Sequence, residues 1–213
     1  MMKKFLCTFA FFAILHTTNA QQRDRDFPHG GFNIVAVGVT QIAPTGGLSN
    51  YFTSATGANI GMGLRIRRVF VGFQTNNAHI RLNTPLLSST TGYNHDFQIG
   101  DSFDYWDSMG NIGYILIRNN WIELMPFVGL GGTRIRSNLY DGKRNRDEFI
   151  VVNSFTVSPG LRAEFPLVRG VFNERSSLNL RLDVGYNMPV KFRYTSARGN
   201  VFFARMGIAL WFD

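Results

Sequence analysis

The chain has 213 residues, one cysteine, a formal net charge of +8 and only 17% charged residues. That length bounds it to about one domain. The lone Cys7 excludes a disulfide-stapled fold, and no stretch after the N-terminal segment is apolar enough for a membrane-spanning helix. Aromatics at 14%, with 22 glycines, favour β-structure with many close backbone approaches.

The N-terminal segment reads as an export signal. Lys3 and Lys4 form a positive start, Phe5 to Leu15 an apolar stretch, and Thr18-Asn19-Ala20 a small-residue cleavage site, the three parts such a signal needs. Residues 1–20 are expected to be the signal peptide, cut after Ala20. Residues 21–31 are then a periplasmic leader with its Arg23-Asp24-Arg25-Asp26 run, and 32–213 the folded domain. Cys7 leaves with the signal and does not follow the apolar stretch, so a lipoprotein anchor is excluded. Losing Lys3 and Lys4 lowers the charge from +8 to +6. A basic exported chain suits anionic lipid headgroups, although net charge is not specific.

After the leader the period is two. Asn33 to Ile42 is a mixed first strand, with Val35, Val37 and Val39 assigned outward. Ala58, Ile60, Met62, Leu64 and Ile66 alternate with Asn59, Gly61, Gly63, Arg65 and Arg67. Val69, Val71 and Phe73 alternate with Phe70, Gly72 and Gln74. Ile112, Tyr114 and Leu116 alternate with Asn111, Gly113, Ile115 and Ile117. Ile122, Leu124, Pro126, Val128 and Leu130 alternate with Trp121, Glu123, Met125, Phe127, Gly129 and Gly131. In the sixth strand Val151, Phe155, Val157, Leu161, Ala163 and Phe165 oppose Ser154, Thr156, Ser158, Gly160, Arg162 and Glu164. From Leu178 to Phe192 apolar even positions oppose Asn179, Arg181, Asp183 and Gly185. Phe202, Ala204, Met206, Ile208, Leu210 and Phe212 face away from Arg205, Gly207 and Trp211. Such alternation makes strands with two chemically opposite faces.

These eight strands are joined by alternating short and long connections. The turns at Arg67-Arg68 and Arg118-Asn119-Asn120 are short, and a longer turn lies around Arg169 to Ser176. The other end carries Ala43 to Thr56, about Asn76 to Ser108, Ser137 to Glu148, and Arg193 to Gly199. Short turns at one end and long loops at the other are the habit of bacterial barrels. An even strand count puts both termini on the turn side.

A soluble lipocalin-like barrel also alternates, with its apolar face inward. Two features argue for the opposite polarity. The polar face holds Gly61, Gly63, Gly72, Gly113, Gly129, Gly131, Gly160, Gly185 and Gly207. Glycine weakens a solvent-facing strand, but a narrow eight-stranded lumen needs small residues beside large ones. The apolar face also places aromatics near strand ends, at Phe165, Tyr186, Phe192, Phe202 and Phe212, as interface girdles require.

The final residues, Arg205-Met206-Gly207-Ile208-Ala209-Leu210-Trp211-Phe212, follow a pattern of polar, Gly, apolar, apolar at Arg205, Gly207, Leu210 and Phe212. This resembles the C-terminal signal read by the barrel-insertion machinery, with the departure that Asp213 follows the aromatic. With the strand pattern, the mature chain resembles the small eight-stranded outer-membrane barrels of the OmpA, OmpX and OmpW type. The resemblance implies an all-β, eight-stranded antiparallel up-and-down transmembrane β-barrel in the cell outer membrane, contacting lipid and lipopolysaccharide. It identifies an architecture, not an activity.

The candidate site is the set of inward charges Arg65, Arg67, Glu123, Arg162, Glu164, Arg181, Asp183 and Arg205. Charges buried together must pair, so these are expected to form a network that plugs the lumen. The expected role is then structural, or partner binding through the outer loops, for instance to another envelope protein. Two alternatives stay open. Excess arginine suits a narrow channel for small anionic solutes. A rim-site hydrolase acting on lipid or peptide would need a group such as His95-Asp96 with Ser88 and Ser89, or a cation held by His79, His95 and the aspartates at 96, 101, 104 and 107. Neither spacing is a known motif, so no catalytic residue, metal or cofactor is assigned. His29 falls in the leader. The aromatics Tyr93, Phe97, Phe103, Tyr105 and Trp106 suit either a glycan or protein contact or packing over the mouth. Asp141-Gly142-Lys143-Arg144-Asn145-Arg146 suits lipopolysaccharide phosphates. Nucleic-acid binding has no support, because the arginines fall inside or at loop tips.

Overall fold

The computed structural model describes residues 31–87, 96–140, 146–172, 176–190 and 198–212. The expected signal peptide, its cleavage at Ala20, residues 21–30 of the leader, His29, Ser88, Ser89, Tyr93, His95, residues 141–145, Phe192 and Asp213 lie outside them. The strands are β1 (Gly31–Pro44), β2 (Ala55–Ile66), β3 (Val69–Arg81), β4 (Ser102–Tyr114), the two-residue β5 (Ile117–Arg118), β6 (Glu123–Tyr140), β7 (Arg146–Arg169), β8 (Ser176–Pro189) and β9 (Val201–Phe212). Each long strand pairs antiparallel with its neighbours in chain order, β9 returns to β1, and β4 pairs with β6 past the small β5. Eight long strands therefore close into an up-and-down ring with no free edge, the arrangement that satisfies every ladder hydrogen bond without water.

The two faces follow the alternation in the sequence. Ile60, Met62, Leu64, Val71, Phe73, Ile112, Val128, Leu130, Phe155, Val184, Met206 and Ile208 are exposed on the outside. Inside are Arg65, Gln74, Asn111, Glu123, Ser158, Arg162, Glu164, Arg181, Asp183 and Arg205, all buried. That is inside-out relative to a water-soluble barrel, and it is the polarity of a wall built to face hydrocarbon. The outward residues of β9 run from Phe202 to Phe212. At about 3.3 Å per residue and a tilt near 40°, they rise about 25 Å, the height of the apolar band in membrane barrels. Aromatic pairs mark both rims of this belt. Tyr186 meets Phe202 near the loop end, with ring centroids 5.3 Å apart. Phe212 stacks on Phe32 at 5.5 Å and lies 6.1 Å from Phe172 at the turn end.

Above the belt the pattern inverts. Across β3, β4, β6 and β7 the outward row Phe73, Gly110, Leu130, Val157 gives way to Thr75, Ser108, Gly132, Phe155, then to Asn77, Trp106, Arg134, Asn153, and finally to His79, Asp104, Arg136. The inward rows change in the opposite sense at the same level. Asn76, Asp107, Thr133 and Ser154 are polar, whereas Ala78, Tyr105, Ile135 and Val152 are not, and Ile80 pairs with Phe103 beyond them. The segments taken from sequence as loop at 76–81, 102–108, 137–140 and 146–148 are therefore strand. They project past the belt around a core of their own. Into that core fold Leu48, from a 3-10 turn at Gly46–Asn50, with Phe52, Leu86 and Phe97. Phe103 receives Phe52 at 5.2 Å and Phe97 at 5.1 Å.

Further expectations are corrected. Ile117 and Trp121, assigned inward, are exposed, because β4 ends at Tyr114 and β6 starts at Glu123, so the alternation does not carry through the turn between them. Val151, assigned outward, is buried together with Val152. It is the extra residue of a β-bulge, because Ile135 pairs with Val152 but Arg136 with Ile150, and a bulge turns one side chain to the other face. Val37 and Val39 are outward as expected. The side chain of Val35 lies beside another register shift, between Asn33 and Ala36, and is outside the described set.

Four of the inward glycines, Gly63, Gly72, Gly160 and Gly185, are slots for rings. A Cβ at Gly63 or Gly72 would lie 2.3 or 2.4 Å from the Phe70 ring, and one at Gly160 would lie 2.5 Å from Phe127. Overfilling a packed interior costs about 1–3 kcal/mol. Gly72→Val is therefore expected to lose about that much stability in urea unfolding from lipid vesicles. Ala58→Val, on the exposed face, should change it little.

Candidate functional site: the charged lumen

Seven of the eight predicted lumen charges are buried inside the ring. Arg67 is not. It sits exposed in the β2–β3 turn with φ 55°, because β2 ends at Ile66 and the alternation does not carry through a two-residue turn. The other seven come from β2, β6, β7, β8 and β9, whose inward positions at similar height converge on the barrel axis.

At the turn end, Glu123 and Glu164 gather the cations. Arg65 lies 2.9 Å from Glu123 and 3.6 Å from Glu164. Arg118, read from sequence as part of a turn, reaches Glu123 at 3.3 Å. Glu164 also accepts from Arg181 Nε at 2.8 Å, from Trp211 Nε1 at 2.7 Å and from Asn179 at 3.3 Å. The Arg65 guanidinium lies over the Trp211 ring, 3.9 Å from its centre. A buried carboxylate with this many donors recovers much of the hydration it loses.

One layer up, Arg162 donates to both Asp183 oxygens, from Nε at 2.7 Å and Nη2 at 2.9 Å. The same Nη2 reaches Gln74 at 3.2 Å, and the guanidinium lies 4.6 Å from the Phe70 ring centre. Arg205 stands 3.9 Å from Asp183 and stacks 3.7 Å over Phe203. A third group, absent from the sequence expectation, closes the polar section. Asp107 accepts from Tyr105 at 2.7 Å, from Asn187 at 2.8 Å and from Asn76. Asn187 in turn accepts from Ser158. Asp107 and Tyr105 were placed in a loop, so their inward register was invisible. Their spacing of two, continuing through Met109 and Asn111, was the available signal.

A cavity bordered by Asn59, Gly61, Gln74, Arg181, Asp183 and Arg205 has a volume of about 10 Å³, room for about one water. Apolar clusters lie at both ends of the polar section, Phe70, Ile115, Met125 and Trp211 below and the Phe52–Phe97–Phe103 core above.

Of the residues considered for catalysis or a cation, Ser88, Ser89 and His95 lie outside the described residues. His79 lies on β3, exposed, with Nδ1 2.7 Å from Asp104 on β4. Among the described residues no cluster has the composition of a metal site. Of the terminal motif, Arg205 is buried and Gly207 lies on the inward face, while Leu210 and Phe212 alternate outward along β9.

No protein-family model and no curated protein matches the sequence. Solved structures do. Neisserial surface protein A (NspA) superposes with a TM-score of 0.53 at 11% identity, over 85% of this chain and 96% of that one. Ail, the attachment invasion locus protein of Yersinia pestis, solved with the heparin analogue sucrose octasulfate, gives 0.48 at 9% identity over 87% and 100%. OprG of Pseudomonas aeruginosa gives 0.48 at 10% over 86% and 95%. The likeness to NspA is one of fold: this chain has the architecture of the small outer-membrane β-barrels.

Removing one member of a buried pair strands the other, at a cost of about 3–5 kcal/mol, whereas replacing both by apolar residues is often neutral or better. Asp183→Asn is expected to lower unfolding stability by that amount. Arg162→Met combined with Asp183→Leu should recover most of it in the same urea titration.

Proposed function

We propose that this protein is an integral outer-membrane barrel with a structural or partner-binding role, its lumen closed and its loop end presented outside the cell. The observation that carries this reading is the polarity inversion at the level of Asn76 and Asp107. Strands that continue past the apolar belt, polar outside and apolar inside, form a rigid collar standing in water. A barrel serving only as a lipid-embedded plug has no need of a second core. The collar holds the loops clear of the headgroups, where another envelope protein can reach them.

Residues 1–20 act as the export signal in this account and 21–31 as a periplasmic leader. The β9 strand, with Arg205 and Gly207 inward and Leu210 and Phe212 outward, is the segment presented to the insertion machinery. Lipid and lipopolysaccharide contact the belt and its upper rim. The role is non-enzymatic.

The channel reading is tested against this one directly. Purified protein refolded into a planar lipid bilayer, with folding verified by its heat-dependent gel shift, is expected to pass no ion current. Discrete, salt-dependent current steps would make the lumen a pathway and overturn the closed reading.

A further inference from the structure

We propose that the lumen holds a buried monatomic anion, chloride being the abundant choice, between Arg205, Arg181 and Gln74. All three border the cavity of about 10 Å³. Every buried side-chain polar atom on its lining that lacks a hydrogen bond among the described residues is a donor. These are Gln74 Nε2, Arg181 Nη2, and Nε, Nη1 and Nη2 of Arg205. Gln74 spends its oxygen on Arg162 and Arg181 spends its Nε on Glu164. Arg205 is buried and has only a 3.9 Å approach to Asp183 and the face of Phe203.

A cavity whose spare groups are all donors selects an acceptor. Water brings two O–H groups that need acceptors of their own, and the one carboxylate on the lining, Asp183, already accepts from Arg162 on both of its oxygens. A halide brings acceptor capacity alone. Charge agrees. Four buried guanidinium groups, on Arg65, Arg162, Arg181 and Arg205, with the partly exposed Arg118 at the turn end, face four carboxylates, on Glu123, Glu164, Asp183 and Asp107. One bound anion cancels the surplus, and an unpaired buried charge is costly. The small cavity excludes sulfate and phosphate.

The probe is chloride itself, by 35Cl line broadening on the refolded protein in detergent micelles with gluconate as the balancing anion. Broadening is expected that bromide displaces and sulfate does not. In Arg205→Met it should fall to the level of the protein-free buffer. Because that variant risks misfolding, a crystal of the unaltered protein grown in bromide supplies the second readout, an anomalous peak between Arg205 and Gln74. No bromide-displaceable broadening, or a bromide found only at exposed arginines, would overturn the site. Current steps in the bilayer measurement would sink the closed-lumen reading without touching this one, which the anion measurements judge alone.

Discussion

The structure depends on one constraint: a β-strand has two faces, and the medium outside this barrel changes partway along it. In hydrocarbon the outer face must be apolar, and every backbone group must find its partner within the ring. In water the wall is held by burying apolar surface, so the apolar face must turn inward. Both conditions are met on the same strands. On β3 the outward series runs Val71, Phe73, Thr75, Asn77, His79 while the inward series runs Gly72, Gln74, Asn76, Ala78, Ile80. The crossing point on β3 sits level with those on β4, β6 and β7 because the register fixes it. The bulge at Val151 lies three residues beyond this level on β7 and adds the bend that bulges bring.

The lumen follows from the same constraint. With apolar side chains committed to the outside, the inward positions of the belt hold polar groups in a space too narrow for bulk water. Arginine is suited to fill it, since its planar fork serves several acceptors and its faces pack on rings. Arg65 over Trp211 and Arg162 against Phe70 use both properties, and Arg205 over Phe203 uses the second. The glycines beside Phe70 and Phe127 let these rings lie flat against the wall. Charge pairing and ring packing therefore act as one filling of the barrel.

Much of this was legible in the sequence where a single medium applied. The alternation from Leu178 to Met188 and from Phe202 to Phe212 gave β8 and β9 with their faces, and the inward glycines and charges of the belt followed. Seven of the eight charges assigned inward from sequence lie inside the ring. What failed did so where a local rule changed. Residues 76–81 and 102–108 looked like loop because apolar-out alternation stops there, although alternation of opposite sense continues. Asp107, the hub of the upper polar group, was lost with them. Arg67 was carried one residue past the end of its strand into a turn. The pairing of Arg118 with Glu123 needed the three-dimensional turn between β4 and β6. The apolar core above the belt, with Leu48, Phe52 and Phe97, comes from loop segments that have no period to read.

The central claim, that the inversion level on β3 is the edge of the hydrocarbon, is tested most directly by labelling the outer face of that strand. With Cys7→Ser removing the only native thiol, Val71→Cys, Phe73→Cys, Asn77→Cys and His79→Cys would each carry a nitroxide in lipid vesicles. Its collision rates with dissolved oxygen and with a water-soluble nickel complex report depth. The account predicts oxygen-dominated collisions at 71 and 73 and nickel-dominated collisions at 77 and 79. A smooth profile with no reversal between 73 and 77, or nickel access at 71, would contradict it.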